Sequence, residues 1–149
     1  MNTLVPTLAD LFPDAVTADA PFTVEIGRDF DTAAMPELAA RRVLDLFDGI
    51  RPHPMGAAMA RRGEWVLILP PRSGHDMPWP WPVDHRDHGV LAVPPLSSGP
   101  ADGLHWARRG NGQGRVFTAP LPLHAALPLL ASLRPVPQTA RFDRTPVRI

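Results

Sequence analysis

Residues Arg62–Pro100 read RGEWVLILPPRSGHDMPWPWPVDHRDHGVLAVPPLSSGP, and two apolar runs within them decide the fold. Trp65–Leu69 and Val90–Val93 are short, rich in Val, Leu and Ile, and each is closed by a double proline, Pro70–Pro71 and Pro94–Pro95. Runs of this length bounded by turn residues predict buried strands. Proline has no N–H to give a ladder, so both strands must stop where the prolines begin. The matching stops predict that the two strands are neighbours in one sheet. The loop between them is rich in His, Asp, Arg and Trp, and is the first place to seek a site.

Working outward, Leu4, Val5, Leu8, Leu11 and Phe12 follow helical spacing up to Pro13, which predicts a short N-terminal helix. Asp14–Pro21 reads as a connector and Phe22–Gly27 as a strand, followed by the charges Arg28, Asp29 and Asp31. The strongest helix runs from about Pro36 to Asp48, with Pro36 at its first position and Glu37 at the positive end of its dipole. Its predicted buried face holds Met35, Leu38, Val43, Leu46, Phe47 and Ile50, and Gly49 suits a left-handed C-terminal cap. Arg51–Ala60 reads as loop, with a turn of helix at Ala57–Arg61. Leu104–Arg108 and Arg115–Ala119 predict two further strands around the turn Arg109–Gly114. Leu123–Leu133 has helical spacing that Pro128 must kink. One α+β domain is therefore expected over residues 1–133, a mostly antiparallel sheet with helices packed on it, and an extended tail over residues 134–149.

Composition sets limits. A chain of 149 residues at 44% hydrophobic content supports one real core, and zero formal net charge gives no long-range pull toward nucleic acid. Cysteine is absent, so disulfides and thiolate metal sites are excluded. No apolar run approaches the roughly 18–20 residues that span a bilayer, and no basic-then-apolar leader opens the chain. No membrane association and a cytoplasmic location are the expectations. All fifteen basic residues are arginine, in keeping with a compositional bias toward Arg, Ala, Pro and Gly.

The segment Val83–Trp106, VDHRDHGVLAVPPLSSGPADGLHW, carries a further pattern. An acid follows an apolar residue, then come a basic turn, a glycine, a strand ending in two prolines, a Gly-containing turn and an aromatic. Asp84, Arg86, Gly89, Pro94, Pro95, Gly103 and Trp106 fill these places. Upstream, MPELAARRVLDLF and RGEWVLILPP follow in helix-then-strand order. Over about Phe22 to Arg109 the chain resembles the primase–polymerase domain of the archaeo-eukaryotic primase superfamily, in a shortened, actinobacterial-type form. The resemblance implies half of that fold, with acids closing the strand before the helix and a histidine on the middle strand. Here the acid positions hold Ala33–Met35 and the histidine position holds Trp65; Asp29 and Asp31 form an Asp-x-Asp, but earlier in the chain.

Nucleotidyl transfer uses carboxylates around two divalent metals about 4 Å apart, with a cation on the phosphates. Asp29, Asp31 and Asp84 are the candidate catalytic acids, Asp84 and Asp31 the candidate ligands for Mg or Mn, and Arg72 or Arg86 the phosphate partner. His75, His85 and His88 with Asp76, Asp84 and Asp87 could supply imidazole and carboxylate ligands, or be solvated loop residues. Pro78–Pro82 predicts a polyproline II rod presenting Trp79 and Trp81 for stacking or partner anchoring, with burial over the sheet as the alternative. Arg108, Arg109 and Arg115 surround a glycine-rich turn suited to phosphate. Candidate binding residues are thus Arg72, Trp79, Trp81, His85, Arg86, Arg108 and Arg109. Three functions stay open. The expected one is a degenerate, non-catalytic primase–polymerase-like module, without cofactor, that associates with single-stranded nucleic acid or a protein partner through its Trp-Pro loop and N-terminal helix. The others are an active metal-dependent nucleotidyltransferase and an interaction subunit with no nucleic-acid role.

Overall fold

The structure is a computed structural model and describes residues 6–74 and 76–133. The predicted tail, His75, and Leu4 and Val5 of the predicted N-terminal helix lie outside these residues. The fold is α+β. Strands β2 (Asp31–Pro36), β3 (Ala57–Arg61), β4 (Glu64–Leu69), β5 (Asp84–Arg86) and β7 (Leu104–Arg109) form an antiparallel sheet in the order β5-β2-β4-β3-β7. Strands β1 (Phe22–Glu25) and β6 (Val90–Val93) pair as a separate antiparallel ribbon. On one face of the large sheet pack α3 (Glu37–Leu46), α4 (Pro120–Ala126) and a 3₁₀ helix (Leu127–Leu133). The ribbon and two short helices, α1 (Leu8–Leu11) and α2 (Asp14–Thr17), cover the other.

β4 explains the layering. Trp65, Leu67 and Leu69 join the core under the helices, while Val66 and Ile68 join the core under the ribbon. A strand sandwiched on both faces has no polar side, hence its unbroken apolar run. The β3–β4 hairpin turns through Arg62 at φ +47° and Gly63 at φ +78°. Two consecutive positive φ values match the strand twist, and glycine supplies one of them without steric cost. Arg61 Nε then meets Glu64 Oε1 at 2.9 Å across the turn.

Several expectations need correction. Trp65–Leu69 and Val90–Val93 are strands but not neighbours. β2 and β3 occupy both edges of β4, and β6 pairs with β1 instead. Val90 and Ala92 face solvent, so β6 is buried on one side only. Leu38 is 74% exposed and Ile50 lies beyond the helix; the face of α3 that meets the sheet is Ala39, Ala40 and Val43, continued by Phe47. Small residues let the helix approach closely, and Arg41 covers Trp65 with its guanidinium 5.0 Å from the ring centroid. Ala57–Arg61 is strand β3, not a helical turn. Arg115–Ala119 is not a strand, because its backbone bonds scatter. Val116 N–H reaches Pro6, Thr118 N–H reaches Ile68 and Ala119 N–H reaches Pro54, leaving no ladder to continue. Asp84–Arg86 is strand β5 rather than loop, and α2 forms inside the expected connector. Pro120 opens α4, and the kink expected near Pro128 is a change to 3₁₀ geometry from Leu127.

The residues behind the Val83–Trp106 pattern hold the layers together. Gly89, at φ +99°, turns β5 into β6, and its carbonyl accepts the Ile26 N–H. Trp106 Nε1 donates to the Pro94 carbonyl at 2.8 Å, tying β7 to the end of β6.

Candidate functional site

The candidate acids separate. Asp31 opens β2, is fully buried, and its Oδ2 accepts from the Ser73 N–H at 3.0 Å and from His85 Nε2 at 2.9 Å. Its Oδ1 is buried without a hydrogen-bond partner. Asp84 pairs in register with Ala34, and His85 with Ala33. Side chains alternate along a strand, so His85 shares Asp31's helix-covered face while Asp84 points to the opposite face. There Asp84 is exposed and meets Arg86 Nη2 at 3.3 Å. Asp29 is exposed in the turn between Gly27 and Phe30. Two-metal chemistry needs carboxylates on one side of one site; these three do not fit it. Among the described residues no three His, Asp or Glu side chains gather to hold a metal. His88 pairs with its neighbour Asp87 at 2.9 Å, and this hydrogen bond holds the exposed Asp87 carboxyl below its usual range.

Met35 sits in register opposite Trp65, and both are buried in the core beneath α3.

The Trp-Pro segment folds back over the sheet edge rather than standing away as a rod. Trp79 stacks on His85, with centroids 6.1 Å apart at 21°, and meets His124 edge-on at 5.3 Å. Its Nε1 donates to the Ser73 carbonyl at 3.3 Å. Both Trp79 and Trp81 are half-buried against the helix-side core. Gly74 fits against the His85 ring so closely that a Cβ there would lie 2.3 Å from Cε1. Arg72 is exposed in this loop at φ +66°.

A second constellation lies at the far edge of the sheet. Arg108 and Arg109, ending β7, line a cleft of about 520 Å³ with Arg51, His53, Asp48 and the loop Gly110–Gln113. Arg108 is aimed by its backbone contacts: Nε donates to the Gly56 carbonyl at 3.2 Å and Nη2 to that of Met55 at 3.0 Å. Arg109 donates to the Leu96 carbonyl and Arg51 to that of Ile50. Among the described residues none of the three forms an ion pair. Burial lowers the Arg108 pKa from its ordinary value. Burial also lowers that of His53, helped by the positive charges of Arg108 and Arg51 and opposed by Asp48. The Met55 N–H donates to His53 Nδ1 at 3.1 Å, which needs that nitrogen's lone pair free of a proton. Asn111 ties the loop together. Its Oδ1 accepts from the Gln113 and Arg115 N–H groups and its Nδ2 donates to the His53 carbonyl.

The structure therefore joins Asp31 to His85, and gathers Arg108 and Arg109, while Asp29, Asp84, Arg72 and Arg86 stay apart from both groups. Sequence reasoning missed Asp48, Arg51, His53 and Asn111. Of these only Asn111 carried a signal, as an amide inside a glycine run that can bond neighbouring backbone. The chain matches no protein-family model, no curated protein and no solved structure.

Proposed function

We propose that the chain is a degenerate primase–polymerase-like module that carries out no nucleotidyl transfer and associates with single-stranded nucleic acid through the arginine cleft. One observation carries the reading. Where the resemblance would place an acid and a histidine, Met35 on β2 and Trp65 on the adjoining β4 are core residues. Asp31, the nearest acid on β2, is committed to His85 and Ser73. Association is supported by three guanidiniums facing one carboxylate, an arrangement that favours an anionic occupant.

The test pairs two measurements. Labelled oligothymidylate should bind in fluorescence anisotropy, with log affinity falling against log salt at a slope of roughly −2 for three phosphate contacts on a single strand. Labelled nucleotides with Mg or Mn should not be incorporated on primed or unprimed templates. Incorporation that disappears in Asp84→Ala would overturn the non-catalytic half, and absence of salt-sensitive binding would overturn the other.

A further inference from the structure

The arginine cleft does not end at its arginines. Arg51, His53 and Asn111 also line a second cavity of about 440 Å³, whose wall is built from Ile50, Pro52, Pro54, Phe117 and Pro122. Each volume lies within roughly the 300–1,000 Å³ of small-molecule sites. Besides Arg51, His53 and Arg115, which also line this second cavity, its polar side chains are already satisfied within the protein. Thr118 Oγ1 accepts the Gly56 N–H at 3.0 Å, and the Asn111 amide bonds the backbone at both its oxygen and its nitrogen. Apart from those three side chains its wall therefore offers an occupant mainly apolar contact. Across the shared wall the guanidiniums offer N–H donors and charge, and among the described residues none of them is ion-paired, Asp48 being the one carboxylate that lines the cleft.

We propose that the two cavities form one site for a small amphiphilic anion, with a flat apolar body against the proline and phenylalanine wall and a phosphate or carboxylate at Arg51 and Arg108. The inference goes beyond nucleic-acid association, and because Arg51 serves both, a bound small anion would compete with a strand. The two halves select together. A bare phosphate leaves the apolar wall wet, and a neutral aromatic leaves the guanidiniums without a counter-charge. Arg108 is held by two backbone carbonyls, so its remaining donors are directed in advance and little side-chain freedom is lost on binding.

Calorimetric titration with 1-naphthyl phosphate, 1-naphthoate, inorganic phosphate and 1-naphthol tests it on the full chain. At least one of the two naphthyl anions should bind tenfold or more tightly than both inorganic phosphate and naphthol, and the better of the two identifies the head group. Ile50 and Arg51 are exposed, so Ile50→Ser and Arg51→Gln should keep the Tm. Ile50→Ser should weaken the naphthyl anion at least threefold without affecting inorganic phosphate; Arg51→Gln should weaken both anions. Equal affinities for phosphate and naphthyl phosphate, or variants that change nothing, would overturn the proposal. Oligothymidylate measured on the same samples separates the two ideas, since its failure to bind touches only the nucleic-acid reading.

Discussion

His85 Nε2 lies 2.9 Å from Asp31 Oδ2, and this contact joins an edge strand of three residues to the buried start of β2. The same oxygen accepts the Ser73 N–H, so one carboxylate fixes both the edge strand and the loop that carries the tryptophans. His85 is only 14% exposed at its side chain, with Trp79 stacked on it and Gly74 pressed against the ring. Asp31 is thus a structural hub, whatever its sequence position suggests.

Asp31→Ala should cost about 2–4 kcal/mol, because it strands a backbone N–H and an imidazole that have lost their acceptor. Asp31→Asn keeps one acceptor oxygen and should cost less. Urea denaturation measures both, and an Asp31→Ala midpoint equal to that of the wild type would refute the hub.

The contact between Gly74 and His85 predicts non-additivity. Gly74→Ala alone should destabilise, since the new Cβ would meet Cε1 at 2.3 Å and Nδ1 at 2.7 Å. In a His85→Ala background that clash is gone, and the same change should be close to neutral. A double-mutant cycle with a coupling of about 1 kcal/mol or more is expected; additive costs would place the strain elsewhere.

The helix face makes a third prediction. Leu38→Lys should alter stability by no more than about 0.5 kcal/mol, as exposed substitutions usually do. Ala40→Leu should cost about 1–3 kcal/mol by overpacking the contact between α3 and the sheet. The opposite ranking, read from thermal melts, would mean the helix is rotated.

The lowered pKa of His53 gives a pH dependence with a definite sign. The unfolded chain binds a proton at this ring near its ordinary pKa of about 6.5, and the folded chain only at lower pH. Within that window the unfolded state holds more protons, so stability rises with pH and the full contribution is present above it. His53→Gln should flatten the stability loss on acidification below pH 6.5. Anion affinity should change the other way, rising as the folded ring gains its charge. A wild type and variant with the same acid limb would contradict this assignment.

The strands legible in the sequence were those whose signal is local. Trp65–Leu69 is apolar on both faces and closed by prolines, and Leu104–Arg109 is set off by glycines on either side. Asp31–Pro36 was not legible as a strand because Asp31 and Thr32 are buried polar residues held by partners far along the chain. Strand pairing was misread because equal proline stops speak to where a ladder ends and say nothing of which strand lies beside it. The candidate acids could be found by residue type, but the face each occupies depends on the register of β5 on β2. The arginine cleft was half legible for a similar reason. Arg108 and Arg109 flank an evident turn, whereas Arg51 and His53 arrive from a loop more than fifty residues earlier.

The order of strands bears on how the chain reaches its native state. Among the described residues only β3 and β4 form a hairpin; Phe22 must wait for Val93, Thr32 for Arg86 and Arg61 for Leu104. Such non-local pairings require large loops to close before any contact repays the entropy. Folding should therefore be slow for a domain of this size, on the order of milliseconds to seconds. A chain emerging from the ribosome holds β2 and β3 each with an unpaired edge, and an uncovered apolar face of the sheet, until β5, β6 and β7 have followed. Its exposure to aggregation is greatest during synthesis, and a stopped-flow refolding rate in the microsecond range would show that some shorter-range nucleus forms first.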